Sequence, residues 1–314
     1  MKATADHGRW WQTMPAQGSD RGFGALQLVD APVAMNASGL ADLIAMFTAP
    51  ADWYLANLLG MDDSYSPTVV ALAREQGPAL LKAARFVPTA NRVALGQISA
   101  ALTLSGISMG IAGTTAACSG MEHAASHLLE MAAVKAGDDV ALHGAQVGVA
   151  SIVAALLWQR VLDELAAGGL SRAKVPDPVE SEIAVRAAFS AVDPSGEMAE
   201  ECWRDYERKL ARWARAGGRI GQAAEQWRSH ARALGNLLAS PQSIAAALRS
   251  AGAPVDFSEL DPSVDRDAAR WAVASCHLMR DRFSVADMAC FLGIWDEATV
   301  EGLLGEARAL AVSA

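Results

Sequence analysis

The sequence predicts an all-α protein, a multi-helix bundle, and three observations carry that expectation. Past residue 35 nearly every stretch is rich in Ala, Leu, Arg and Glu, the residues that lose least on entering a helix. Helix-start signals recur along the chain: Ser66-Pro67, Asp177-Pro178, Ser240-Pro241 and Ser284-x-x-Asp287. Only one short segment, Ala25-Leu26-Gln27-Leu28-Val29, reads as a strand. With 314 residues, 52% of them hydrophobic, the chain can bury one large core or two small ones.

Residues 1 to about 30 read as irregular, because Gly8, Pro15, Gly18, Gly22 and Gly24 would break any helix. The adjacent Trp10 and Trp11 are unusual so near a terminus. Residues 38–59 read as one helix or a broken pair, with the break marked by Pro50. Ser66-Pro67 opens the next helix, and Gly77-Pro78 interrupts it. Residues 89–109 form a long apolar helix, and residues 120–135 form a helix that carries two histidines. Residues 136–139 make a turn. His143 opens a helix whose core face is Val147, Val149, Ile152, Leu156 and Leu157, and which ends before Gly168-Gly169.

Residues 174–178 are the best linker, so a sub-division near 170–178 is the candidate domain boundary. Beyond it the chain is more charged, with helices expected near 178–190, 196–215, 217–238, 241–251, 264–281, 284–292 and 296–311. Trp203, Trp213, Trp227, Trp271 and Trp295 are spread among them as core or helix-contact aromatics. Neither an internal repeat nor a low-complexity run is present.

Composition also bounds function. A net charge of −9 argues against a nucleic-acid partner, which would need a basic surface. Cys118, Cys202, Cys276 and Cys290 lie far apart with no CxxC pair, as suits reduced thiols in the cytoplasm. The first residues lack the apolar core of a signal peptide. Residues 93–121 carry no charge, but five glycines and many Ser and Thr residues favour a buried helix and a close-packed loop over a membrane span. Dinucleotide, P-loop and nucleophile-elbow signatures (GxGxxG after a strand, GxxxxGK[ST], GxSxG) are missing. Cys118 lies near histidines in sequence, but an apolar setting would raise its pKa and silence it as a nucleophile.

The chemistry concentrates in Ser119-Gly120-Met121-Glu122-His123-Ala124-Ala125-Ser126-His127 and Leu142-His143-Gly144-Ala145-Gln146-Val147-Gly148. His123 and His127 are four apart and share a helix face, and with His143 they supply most of a metal site. The bland alternative for each is a satisfied core histidine. Glu122 is a candidate to orient a ligand or act as a general base, against a solvated helix charge. Gly144 and Gly148 suit either an anion at a helix start or tight helix packing. Gly106, Gly110, Gly113 and Gly120 would let the backbone approach a ligand or another helix closely.

Several segments together resemble the sn-glycerol-1-phosphate dehydrogenases, which belong with glycerol dehydrogenase, the iron-containing alcohol dehydrogenases and dehydroquinate synthase. They are Asp30-Ala31-Pro32, Ala37-Ser38-Gly39-Leu40-Ala41-Asp42-Leu43-Ile44, Ala51-Asp52-Trp53 and Ser105-Gly106-Ile107-Ser108-Met109. To these add the two histidine segments above, Ala251-Gly252-Ala253-Pro254, and Arg280-Asp281-Arg282-Phe283-Ser284-x-x-Asp287. Their order and spacing, from about residue 28 to the end, carry the resemblance. It implies the helical C-terminal domain of that superfamily over residues 35–314, preceded by an irregular remnant over 1–34. It also implies one divalent metal (zinc, nickel or iron) held by Asp42, His127 and His143, with His123 a neighbour of the site.

Three departures shape the functional expectation. The family's nucleotide-binding domain is missing, Met46 stands where a lysine usually follows the metal aspartate, and Thr114-Thr115-Ala116-Ala117 replaces an Asn-Ser-Arg-Pro run. Two cationic groups are thereby lost, which weighs against a phosphorylated substrate. The expectation is a metal-dependent enzyme, non-redox in reaction (lyase, isomerase or hydrolase), acting on a small oxygenated substrate, with His123 and Glu122 as its proton-transfer groups. NAD(P) is not expected to bind the isolated chain. The alternatives are the metal-binding half of a split NAD(P)-dependent dehydrogenase, or a non-catalytic scaffold. A homo-oligomer or a partner chain is expected to cover the face of the missing domain.

Overall fold

The computed structural model describes residues 29–313, and among them every regular element is helical. The all-α expectation is therefore met. The strand expected at 25–29 and the irregular N-terminal segment with Trp10 and Trp11 lie outside the described residues, apart from Val29 and Asp30.

Helix α1 spans Val33–Leu43 and runs into a 3-10 turn, Ile44–Phe47, before α2, Ala49–Leu58. The break expected at Pro50 falls at Thr48, and Pro50 sits in the first turn of α2, where its missing N–H costs nothing. Helix α3 is Pro67–Arg74, capped by the Ser66 side chain, and α4 is Gly77–Ala83. Helix α5, Arg92–Ala112, starts where the Asn91 side chain accepts from the backbone N–H of Val93 and Ala94. It ends at Gly113, whose φ of 65° is the left-handed turn that glycine allows. Helix α6 is Met121–Ala136 and α7 is His143–Ala166.

The second half continues as α8 (Pro178–Ser190), α9 (Glu197–Arg215), α10 (Gly217–Glu225), α11 (Trp227–Leu237) and α12 (Pro241–Ala251). It finishes with α13 (Arg266–Ser275), α14 (Val285–Phe291) and α15 (Glu297–Ser313). Two expectations need correction. The single helix expected over 217–238 is broken at Gln226, and the helix expected over 264–281 stops at Ser275 and tightens into a 3-10 turn, Cys276–Leu278. That turn lets His277 O accept from the buried Lys209 Nζ at 2.6 Å.

Helix α7 is the axis of the molecule. It packs against α1, α6, α12, α14 and α15, and Val147, Ile152, Val153, Leu157 and Trp158 on it are fully buried. Burying such side chains contributes about 1.5–3 kcal/mol each. Trp203, Trp213 and Trp227 are buried, and Trp271 and Trp295 half-buried, as expected of core aromatics. Trp213 stands 5.7 Å from Phe283 and 4.7 Å from Phe291, ring centre to ring centre. Lys209 and Asp287 form an ion pair of 2.7 Å inside this core, with both side chains inaccessible. Asp287 also completes the capping box with Ser284 that the sequence signals.

Helix α5 departs from expectation. It is long and apolar but mostly unburied, exposing Val93, Leu102, Ile107 and Ile111. Helices α5 and α7 are both long and apolar enough to cross a membrane, and α7 spends that hydrophobicity on the core. Nothing lies within 4 Å of the position a Cβ would take at Gly106, Gly110 or Gly113, so these glycines mediate no close approach among the described residues.

Candidate metal centre

Three helix segments meet at one polar cluster. Asp42 comes from the last turn of α1, His123 and His127 from the first two turns of α6, and His143 from the first residue of α7. The spacing of His123 and His127 puts both on one helix face, and their ring centres are 6.3 Å apart. His143 lies 5.3 Å from the His123 ring and 5.1 Å from the His127 ring, stacked on the latter. The sequence thus brings together the histidines that it singles out.

Close packing makes the meeting of α1 and α7 possible. A Cβ on Gly144 would lie 2.1 Å from Ser38 O and 2.8 Å from Asp42 Cβ. A Cβ on Gly148, one turn on, would lie 2.8 Å from Ala41 Cβ and 2.9 Å from Leu248 Cδ2. Of the two readings of these glycines, packing is the one observed.

Asp42 Oδ1 is 3.4 Å from His123 Nε2 and 3.7 Å from His143 Nε2. That oxygen is buried and makes no hydrogen bond. A buried carboxylate oxygen that makes no hydrogen bond, facing imidazole nitrogens, suits a divalent cation. Burial opposes ionisation of Asp42, but the neighbouring His123, then His143 and His127, outweigh it and lower its pKa. The donor set therefore fits a metal. Two sets have their donor atoms within 4.8 Å of one another: Asp42, His123 and His143, and His127, Glu130 and His143. The set expected from resemblance, Asp42, His127 and His143, is neither of these: it takes Asp42 and His143 from the first and His127 and His143 from the second.

His123 is buried, which disfavours its charge, yet its contacts with Asp42 and Glu122 prevail and raise its pKa to about 9. His127 moves the other way, to about 4, by burial and the nearby Arg280 and histidines. Glu130 joins the two histidine helices: Oε2 is 3.1 Å from His127 Nδ1 and Oε1 is 2.8 Å from His143 Nδ1. Burial opposes its ionisation, but these imidazole contacts hold the Glu130 pKa at about 2.

Glu122 is fully buried, so the solvated-charge alternative fails. It accepts hydrogen bonds from Gly120 N (2.6 Å) and Thr48 Oγ1 (3.1 Å) and lies 3.2 Å from His123 Nδ1. Beneath it, Asp52 accepts from Met121 N, Trp158 Nε1 and Val285 N at 2.9, 3.0 and 3.1 Å. Burial and the Glu122 charge push the Asp52 pKa well up. Gly120 fits between the two carboxyls, since a Cβ there would stand 2.6 Å from Asp52 Oδ2. Cys118 is a partner of Ser105 Oγ at 2.9 Å, and burial raises its pKa, as expected of a silent thiol.

Sequence reasoning assigned no role to Glu130, Asp52 or Arg280, although Asp52 and Arg280 lie in segments that carry the resemblance. Glu130 follows His127 by three residues on the same helix face, which is the signal that would have found it. Arg280 buries Nε and Nη2 without hydrogen-bond partners, close enough to His127 to depress its pKa. Arg282 donates to Ser119 O at 2.6 Å and to Thr115 Oγ1 at 2.9 Å. The segment 114–117, which lacks an arginine of its own, is thus held by one from elsewhere.

No protein-family model matches the chain. Curated relatives do. A glycerol-1-phosphate dehydrogenase [NAD(P)+] of Haloquadratum walsbyi is 34% identical over 171 residues, 52% of this chain and 48% of that protein. One from Methanothermobacter thermautotrophicus is 37% identical over 140 residues, 43% of this chain and 39% of that one. A third, from Bacillus licheniformis, is 26% identical over 285 residues, 90% of this chain and 55% of that protein. The chain spans about half the length of the curated relatives it matches, and the resemblance read from its motifs is to the family these relatives represent.

Proposed function

We propose that this relative of the glycerol-1-phosphate dehydrogenases carries the metal- and substrate-binding part of a dehydrogenase acting on a small polyol, with Asp42, His127 and His143 as the metal ligands. The observation that supports it is Asp42 Oδ1, which makes no hydrogen bond and faces His123 Nε2 and His143 Nε2, on a chain with these relatives, while His127 as a ligand rests on the resemblance. When bound, a divalent metal there would supply Lewis-acid polarisation of a substrate hydroxyl or carbonyl oxygen. The expectation of a non-redox reaction has no observation in its favour, and the relatives' own name contains NAD(P)+. Hydride exchange with a nicotinamide nucleotide is therefore the reading we adopt. The nucleotide surface would come from outside the described residues, in the same chain or in a separate one.

The residues divide the remaining work. His123 keeps a proton at Nε2 beside Asp42, held in place by the buried Glu122 at its Nδ1, and is the group placed to pass a proton to or from a substrate oxygen. Glu122 acts through His123 and the Gly120 backbone rather than on substrate. Arg280 has two buried guanidinium nitrogens, Nε and Nη2, free to take an anionic end of the substrate, which restores part of the cationic character lost at Met46 and Ala116. The side chains of His123, Glu122 and Ser126 are shielded from solvent, which strengthens every charge interaction among them.

The test is elemental analysis of the purified chain with Asp42→Ala and His143→Ala beside it. About one zinc, nickel or iron per chain, lost in both variants, is expected. Comparing His123→Ala with His127→Ala then separates the proposed set from that of Asp42, His123 and His143, the proposed one losing metal with His127. A folded protein that takes up no added metal would refute the proposal.

A further inference from the structure

We propose that Glu130 is a positioning residue that clamps both His127 and His143, accepting one hydrogen bond from each imidazole so that each ring leaves its Nε2 atom as the one free to bind the cation. The inference rests on the metal-centre reading above. Each carboxylate oxygen serves one ring: Oε2 meets His127 Nδ1 at 3.1 Å, and Oε1 meets His143 Nδ1 at 2.8 Å. A carboxylate can only accept, so both Nδ1 atoms carry hydrogen, and in the neutral imidazole Nε2 is then the nitrogen with the lone pair. The two rings stack at 25° with centres 5.1 Å apart, so both Nδ1 edges can face one carboxylate. Ser126 Oγ, 3.2 Å from His143 Nδ1, supports the same ring from the same helix.

The alternative is that Glu130 is itself a ligand, in a set with His127 and His143. A cation in that position would have to take the Nδ1 lone pairs and break both hydrogen bonds. The clamp keeps both hydrogen bonds: Glu130 stays on the Nδ1 side, and Asp42 lies on the Nε2 side, 3.7 Å from His143. Imidazole ligands held from behind by a carboxylate are more basic and fixed in orientation, and losing that support typically costs about 10–100-fold in metal affinity.

The experiment uses the whole chain and two readouts. With histidine-labelled metal-free protein, proton NMR should show two downfield imidazole N–H resonances, assigned by His127→Ala and His143→Ala. Both should vanish in Glu130→Ala while the amide spectrum stays folded. Cobalt(II) titration should give binding about 10–100-fold weaker in Glu130→Ala and Glu130→Gln, with partial rescue by Glu130→Asp, which can still reach one ring. Unchanged cobalt affinity in Glu130→Ala would overturn the clamp and leave the metal centre standing. A wild-type chain that binds no cobalt would overturn the metal centre itself, and the clamp with it. Zinc bound through Nδ1 atoms, seen as both N–H resonances lost on adding this diamagnetic metal to the wild type, would make Glu130 a ligand and refute the positioning role.

Discussion

Gly144→Ala tests the link between helix packing and the site. The added Cβ would stand 2.1 Å from Ser38 O, where ordinary contact begins at 3.4 Å, so α1 and α7 would have to part by about 1.3 Å. Both neighbours are fixed, one a backbone carbonyl and the other the Cβ of Asp42, so no flexible side chain can yield. Overpacking of a core costs about 1–3 kcal/mol, and a backbone clash belongs at or above the upper end. Because Asp42 rides on α1 and His143 opens α7, the same displacement would spoil their 3.7 Å approach. Urea unfolding should therefore show a loss of about 3 kcal/mol or more, with metal affinity falling at least tenfold. Gly148→Ala should cost less, because its tightest contact, 2.8 Å to Ala41 Cβ, is less severe than the 2.1 Å at Gly144, and Leu248 can rotate away. Gly106→Ala is the control: nothing crowds it, and exchanging glycine for alanine within α5 should stabilise by up to about 1 kcal/mol. A Gly144→Ala chain with wild-type stability and metal affinity would refute the packing argument.

Other outcomes follow from the interior. His277 is buried and its pKa is lowered to about 3 by burial and by the Lys209 charge, so the unfolded chain takes a proton below about pH 6.5 that the folded chain refuses. Stability should fall as pH drops from 6.5 towards 3, by about 2 kcal/mol at pH 5, and His277→Leu should flatten that slope in denaturant titrations. Lys209→Met should cost about 3–5 kcal/mol by stranding the buried Asp287, measured by urea unfolding at pH 7. Asn91→Ala should cost about 1 kcal/mol by leaving the Val93 and Ala94 N–H groups uncapped, seen as a lower melting temperature.

The helices were readable wherever composition and caps agreed. Ser66, Asp177 and Ser240 cap as their sequence signals imply, each side chain accepting from the first turn. The break at Gln226 carries neither glycine nor proline, so nothing local announces it; tertiary packing decides it. Helix α5 misled because apolar composition reports affinity for a nonpolar neighbour, and the described residues leave Ile107 and Ile111 without one. In the site, residue type and i, i+4 spacing revealed the histidines. Asp42 came from resemblance alone, since its distance from His143 in sequence hides a contact made through Gly144. Glu130 and Asp52 look like ordinary helix charges, and only the fold shows that each joins separate segments.

Asp52 has a consequence for how the chain reaches this state. Its carboxyl ties α2 to residues 69, 106 and 233 positions away, at Met121, Trp158 and Val285. Closing such long loops costs chain entropy before any contact rewards it, so this junction belongs among the last to form. It is also a place the molecule cannot open piecemeal, because releasing Asp52 loosens the starts of α6 and α14 together. The amide hydrogens of Met121 and Val285 should then exchange with solvent only through global unfolding, at one common rate. The capping amide of Val69, bound within its own turn, should exchange far sooner. The histidine cluster begins two residues beyond Met121, so its assembly would mark the completion of folding.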